Sequence, residues 1–222
     1  MNERTILLFG DSNTHGTRPI PRFDAPRERF GAAVRWPGVL RAALPPDATV
    51  IEEGHPGRTT LHDDPIEGAH RNGLAALPAL LESHAPLDMV VIALGVNDLK
   101  SRFAVTPEDV AHSVRILCRT VRAAEVGRGG AAPDLVIVAP PPLIETGFLG
   151  GFFRGGAAKS AALPALLAEV AGSLGAGFVE SGAHIGVSPV DGVHFEAEAH
   201  AALGRAVAAV VLPRLAALEA GA

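Results

Sequence analysis

Short runs of β-forming apolar residues alternate along this chain with longer segments of helical periodicity, and that alternation constrains the fold more than any other feature. Thr5–Phe9, Thr49–Glu52, Met89–Leu94, Leu135–Ala139 and Gly177–Glu180 read as strands. Helical patterns occupy Trp36–Leu44, Leu74–Ser83, Pro107–Ala124, Ser160–Leu174 and Ala197–Leu218. Strands interleaved with helices connect through crossovers into a parallel sheet covered on both faces. Met89–Leu94 is apolar throughout, as expected of a strand buried on both sides. Thr106, Pro107 and Asp109 supply an N-cap, a first-turn proline and a capping-box partner for the helix that follows. The alanine-rich last helix carries an apolar stripe of Leu203, Val207, Val210 and Val211. The expected fold is α/β, a three-layer α/β/α sandwich around a five-stranded parallel sheet. The chain has 222 residues and is 48% hydrophobic, enough for one domain with a sizeable core. No repeat or linker divides it, so residues 1–222 are expected to form that single domain.

Charge and cysteine usage narrow the partners. The net charge of −5 and the absence of a Lys/Arg-rich run argue against a nucleic-acid surface. Ala206–Leu212, the longest unbroken apolar stretch near the C-terminus, is too short to cross a bilayer, so no membrane partner is expected. Met1–Arg4 leads directly into the first strand, without the apolar segment and cleavage site of a leader. Cys118, the single cysteine, rules out an intrachain disulfide and lies in an apolar helical pattern, where it reads as a packing residue. A reduced, cytoplasmic setting follows as the expectation.

Ligands of such sheets gather beyond the carboxyl ends of the strands. That selects Gly10–Gly16, Gly54–Thr60, Gly95–Asp98 and the segment after Pro140. In Phe9-Gly10-Asp11-Ser12, Ser12 stands at a glycine-bearing turn, either as a nucleophile or as a helix cap. A serine nucleophile needs a base, and the base needs a partner to fix its tautomer. Asp191-Gly192-Val193-His194 offers both from one short loop. Asn97 presents a side-chain donor after the third strand, and Gly57 a backbone N–H after the second, although both loops also read as plain turns. Asp11 and Asp98 flank these positions as turn-stabilising groups. Arg58 fits either a charged substrate or a pairing with Glu53, Asp63 or Asp64. His62-Asp63-Asp64 hints at a metal, but three adjacent side chains diverge, so no metal is expected. Phe148, Phe152 and Phe153 lie in a glycine-rich loop, where they either wall a substrate pocket or pack against another subunit.

Taken in this order, Gly10-Asp11-Ser12, Gly57, Gly95-Val96-Asn97-Asp98 and Asp191-Gly192-Val193-His194 resemble the four blocks of the SGNH (GDSL) hydrolase superfamily. The resemblance spans nearly the whole chain and implies that superfamily's flavodoxin-like fold. It implies a triad of Ser12, His194 and Asp191, with an oxyanion hole from the Ser12 and Gly57 N–H groups and the Asn97 amide. Val34-Arg35-Trp36, Ile51-Glu52-Glu53-Gly54, Arg58-Thr59-Thr60 with Asp63-Asp64-Pro65, and Pro140-Pro141-Pro142-Leu143 are similar to the bacterial arylesterase/acyltransferase branch. That branch implies hydrolysis of short-chain esters, acyl transfer to alcohols, homo-oligomers and no cofactor. Asn13, His15, Phe152, Phe153 and Val193 are the expected pocket residues. Where relatives carry bulky aromatics after the serine, this chain has His15 and Thr17, which implies a more open or more polar pocket. A carbohydrate acetylesterase is the alternative enzyme reading, and a nucleotide- or carbohydrate-binding module the non-enzyme one. Against a nucleotide, Gly10–Gly16 has neither the spacing nor the lysine of a phosphate-binding loop.

Overall fold

The structure, a computed structural model, describes residues 4–220. Its elements run β1 (Arg4–Gly10), α1 (Ser12–His15), α2 (Trp36–Ala43), β2 (Ala48–Gly54), α3 (Gly73–Ser83), β3 (Met89–Ala93), α4 (Pro107–Ala123), β4 (Asp134–Ala139), α5 (Gly156–Leu174), β5 (Gly177–Glu180) and α6 (Ala197–Ala220). All five strands pair in parallel in the order β2-β1-β3-β4-β5, the arrangement expected from the alternation.

The period-two geometry of each strand divides its side chains between two cores. Leu7, Phe9, Val90, Ile92, Leu135 and Ile137 face α3, α4 and α5, meeting Leu77, Leu81, Val114, Leu117 and Leu167. Ile6, Leu8, Met89, Val91, Val136 and Val138 face α2 and α6, meeting Trp36, Leu40, Leu203, Val207 and Val211. Burial of each such side chain contributes about 1.5–3 kcal/mol. Cys118 belongs to the first core, and burial pushes its thiol up to about 12, in keeping with a packing role.

Two expectations change. Helix α5 begins at Gly156 rather than Ser160. Its first turn is glycine- and alanine-rich and carries no capping side chain of its own; Glu145 supplies one by accepting from the Ala157 N–H at 3.1 Å. The second concerns α6. Within it, Ala197–Leu218 is long and apolar enough, by length and composition, to cross a membrane, which the unbroken run Ala206–Leu212 understated. Its larger apolar residues are spaced at helical intervals among alanines, and in the fold they lie against the sheet and α2.

The chain leaves β1 first toward β2 on one side and then toward β3 on the other. The strand order therefore reverses at β1, and a crevice opens between the carboxyl ends of β1 and β3. Gly10 ends β1 there. A Cβ at this position would lie 2.0 Å from Thr14 Oγ1 and 3.1 Å from the Ala93 carbonyl, so only glycine lets α1 fold back against the strand ends.

The capping box expected for α4 is present: Thr106 Oγ1 accepts from the Asp109 N–H at 3.1 Å, and Asp109 Oδ2 accepts from the Thr106 N–H at 2.9 Å. Thr106→Ala should therefore lower the unfolding free energy by about 1 kcal/mol, read as a shift of the urea midpoint at unchanged m-value.

Candidate active site

Ser12 opens α1 immediately beyond β1. Asp11 caps that helix, its Oδ1 accepting from the Asn13 N–H at 2.9 Å. The capping role left open for Ser12 thus falls to its neighbour, and the Ser12 hydroxyl is available to another partner. It lies 3.0 Å from Nε2 of His194, across 182 positions of sequence. On the other side of the ring, His194 Nδ1 is 2.6 Å from Asp191 Oδ2. A carboxylate only accepts, so Nδ1 carries the proton and Nε2 is left as the acceptor facing Ser12.

Asp191 is fully buried and its oxygens are filled. Oδ1 accepts from the Val193 and His194 N–H groups at 3.0 and 2.9 Å, and Oδ2 also accepts from the Ile20 N–H at 2.7 Å. Burial pushes this carboxyl up, but the bonds and charge of His194 and the Ile20 N–H outweigh it and hold Asp191 below its ordinary value. The Ile20 contribution comes from the long loop between α1 and α2, which carries no motif that could have announced it. The loop after β4 props the same turn: the Ile144 N–H donates to the Gly192 carbonyl at 2.9 Å.

Gly57 and Asn97 stand on the opposite side of Ser12. Gly57 has φ +75°, and both residues line the same cavity as Ser12 and His194. Among the described residues, the backbone N–H groups of Ser12 and Gly57 have no protein acceptor. The buried Asn97 points one amide hydrogen at Asp11 Oδ2, 3.4 Å away. Asp98, next along, is buried and accepts from the Thr60 N–H at 3.0 Å and from the Thr60 hydroxyl at 2.5 Å, with His62 Nδ1 at 3.0 Å. It fastens the loop after β2 to the turn that carries Asn97.

The cavity holds about 460 Å³, within the range of small-molecule sites. His15, Phe152, Phe153 and Val193 line it as expected, with Phe148 beside them. The Phe148–Phe153 loop therefore walls the pocket, with the Phe148 and Phe152 rings edge to face at 5.5 Å. His15 and Thr17 pair through Nδ1 and Oγ1 at 3.0 Å and give that wall a polar corner. Asn13 departs from the expectation. It lies behind the pocket, where its amide donates to the Val193 carbonyl at 3.1 Å and ties the Ser12 helix to the His194 loop.

Of its two expected roles, Arg58 takes the structural one, with Glu53 as a partner through its backbone carbonyl. It is buried and donates to the Gly10 carbonyl at 2.9 Å and to the Glu53 carbonyl, with its guanidinium 4.2 Å above the Phe9 ring. Burial lowers its pKa to about 10. It clamps the ends of β1 and β2 through backbone carbonyls, whereas the pairings weighed from the sequence were with carboxylates. His62, Asp63 and Asp64 diverge: toward Asp98, toward Asn72, and toward Arg102, respectively.

Several pocket residues carry no signal in the sequence. Phe23 and Ile66, 76% and 73% exposed, stand at its mouth. Glu67, Arg71, Lys100 and Arg102 add charged groups to the lining of the same cavity. Glu67 Oε1 lies 2.6 Å from Lys100 Nζ and 2.5 Å from Arg102 Nη2, and Arg102 also pairs with the buried Asp64 at 2.7 Å.

Asp11 has a measurable consequence. Burial pushes its carboxyl from 3.8 up to about 6, against the Asn13 N–H bond and the nearby His194 and Arg58. The folded protein thus holds this proton more tightly than the unfolded chain. The resulting stabilisation is complete below about 3.8 and is lost as the pH rises through about 6. Asp11→Asn keeps an acceptor for the Asn13 N–H but does not ionise. Relative to the parent it should gain stability between about pH 4 and about pH 7, by on the order of 3 kcal/mol at most. Denaturant midpoints of the two proteins that run parallel across this range would contradict the assignment.

With this geometry in place, comparisons with known proteins converge. The chain matches the GDSL-like Lipase/Acylhydrolase family over residues 8–202. An arylesterase from Vibrio mimicus is 38% identical over 96 residues, which is 42% of this chain and 37% of that protein, so the match spans well under half of that relative's length. The aryl esterase of M. smegmatis superposes with a TM-score of 0.89 at 39% identity, covering 95% of this chain and 99% of that one. A carbohydrate acetylesterase from Sinorhizobium meliloti does so with a TM-score of 0.89 at 39% identity, covering 97% and 99%. The family match over most of the chain and the likeness of both solved structures place this protein in the SGNH, or GDSL-like lipase and acylhydrolase, family.

Proposed function

We propose that this protein is a serine esterase that cleaves short-chain carboxylic esters, aryl or alkyl acetates, through an acyl-enzyme on Ser12. The observation that carries the reading is the continuous relay from Ser12 Oγ to His194 Nε2 at 3.0 Å and from His194 Nδ1 to Asp191 Oδ2 at 2.6 Å. His194 takes the hydroxyl proton as Ser12 Oγ attacks the ester carbonyl. Asp191 stabilises the imidazolium that forms. The carbonyl oxygen, now negative, receives the Ser12 and Gly57 N–H groups and the Asn97 amide. Collapse expels the alcohol or phenol, which leaves with the proton held on His194. Water, or an alcohol, then attacks the acyl carbon with His194 again as base, and Ser12 is regenerated with release of acid or of a new ester. The phenylalanine wall suits an aryl leaving group. The aryl esterase of M. smegmatis supports the aryl reading.

A second reading, deacetylation of O-acetylated sugars, draws support from the charged wall of Glu67, Arg71, Lys100 and Arg102 and from the acetylesterase of Sinorhizobium meliloti. For self-association, the support is the exposed Phe23 and Ile66 at the pocket mouth. Sedimentation of the protein against a variant with serine at both positions tests it: assembly should weaken in the variant.

Nitrophenyl esters of increasing chain length, with an alcohol acceptor and an acetylated sugar as competing substrates, separate the activities. Ser12→Ala should abolish turnover and covalent labelling by an active-site phosphonate; labelling that persists in the purified variant would refute the nucleophile. Asn97→Ala should lower kcat by about 10² to 10³ with the melting temperature little changed. Asp191→Asn should leave a folded enzyme slower by up to about 10⁴, because an amide at this position no longer enforces the tautomer that faces Ser12.

A further inference from the structure

Pro56 and Gly57 both line the pocket, and an arginine holds the carbonyl of the peptide that joins them. Among the described residues the only cis bond is Ala85–Pro86, so the Pro56–Gly57 peptide is trans. In a trans peptide the carbonyl and the N–H point in opposite directions within one rigid plane. Whatever holds the Pro56 carbonyl therefore also aims the Gly57 N–H. That group is Arg71, whose Nη1 donates to the Pro56 carbonyl and stands 2.9 Å from His55 Nε2.

We infer that Arg71 is a positioning residue of the oxyanion hole, fixing the Pro56–Gly57 peptide so that the Gly57 N–H meets the oxygen that becomes negative. The inference rests on the esterase reading of Ser12 given above. Arg71 grips both ends of the loop. Its side chain holds Pro56, while its own carbonyl accepts from the Thr59 N–H at 2.9 Å and the Thr59 hydroxyl at 3.2 Å. Arg58, inside the same loop, is bound to the strand ends through the Gly10 and Glu53 carbonyls. The loop is thus pinned from both sides, and the peptide at its turn has little freedom to rotate.

The surroundings agree with a fixed cation here. Glu67 Oε2 lies 3.5 Å from Arg71 Nε, so the two side chains are paired. Burial, followed by the proximity of Arg71 and Arg58, lowers His55 to about 4, so its Nε2 is free to accept. A Cβ on Gly57 would stand 2.6 Å from Glu67 Oε2 and 3.1 Å from Arg71 Nε, which places this ion pair directly against the Gly57 backbone. A cationic donor on the carbonyl also draws electron density toward that oxygen and strengthens the N–H at the other edge of the peptide as a donor.

Arg71 also lines the pocket, so a direct contact with substrate is the competing role. The two differ kinetically. A contact equal in ground and transition states changes KM alone, whereas an oxyanion donor changes kcat. The test compares the parent with Arg71→Met and Arg71→Lys on nitrophenyl acetate. Inhibition by an aryl trifluoromethyl ketone, whose adduct with serine carries the oxyanion, is measured in parallel. Arg71→Met should lower kcat by about 10-fold or more, less than outright loss of a donor, with KM within about 3-fold. Trifluoromethyl ketone affinity should fall by a similar factor. Arg71→Lys retains one donor for the Pro56 carbonyl and should recover part of both. A rise in KM at unchanged kcat, or ketone affinity equal to the parent's, overturns the inference. Circular dichroism reports folding; should Arg71→Met not fold, Arg71→Lys is judged by the same two readouts, with an intermediate loss in both expected. A parent protein that neither turns over nitrophenyl acetate nor takes the phosphonate label would sink the esterase reading itself. A parent that does both beside an unaltered variant sinks only the role of Arg71.

Discussion

A buried carboxylate survives in a protein interior only when its oxygens are occupied by donors, and the rest of this site is built around satisfying one. Asp191 receives the Ile20, Val193 and His194 backbone N–H groups and the His194 ring. Those donors come from both ends of the chain. Satisfying the carboxylate therefore draws the loop after α1 across the turn before α6 and closes one side of the pocket. The same bonds hold the carboxylate ionised and orient the imidazole, so stability and reactivity at this point have one cause.

Two arginines, one buried and one half-buried, organise the loop after β2. Arg58 and Arg71 spend their donors on backbone carbonyls, Gly10 and Glu53 for the first and Pro56 for the second. A guanidinium offers donors in a rigid fork, and a backbone carbonyl has two lone pairs, so the Gly10 oxygen accepts from Arg58 as well as from the His55 N–H. The turn that carries Gly57, just ahead of Arg58, is fixed without regular secondary structure. Asp98 does comparable work for the turn that carries Asn97, through Thr60 and His62. The residues that line the site are thus held by charged side chains bonded to the backbone and side chains of neighbouring loops.

The pocket that results has two chemically different walls. Phe23, Phe148, Phe152 and Phe153 supply apolar surface, the first three in edge-to-face contact; Glu67, Arg71, Lys100 and Arg102 supply an ionic one in which the cations outnumber the carboxylate. An apolar and an ionic surface within one cavity offer contacts to both apolar and polar parts of a ligand, which is the physical basis of the two readings proposed above.

Sequence alone determined the layers of this fold and the identity of its reactive groups, because both are local. Strand and helix periods are written in adjacent residues, as in Met89–Ala93 and in the Thr106–Asp109 capping box. The Asp191-to-His194 spacing likewise fits within one turn. Sequence left Ser12 ambiguous between cap and nucleophile, offered Arg58 only substrate or carboxylate partners, and gave no sign of Ile20 or Arg71. It also placed Asn13 in the pocket, when it lies behind it. The tertiary structure decided these, because each depends on partners tens to hundreds of positions away. A backbone N–H or carbonyl looks the same in every sequence, and only the packing of the sheet and its loops determines which side chain it meets.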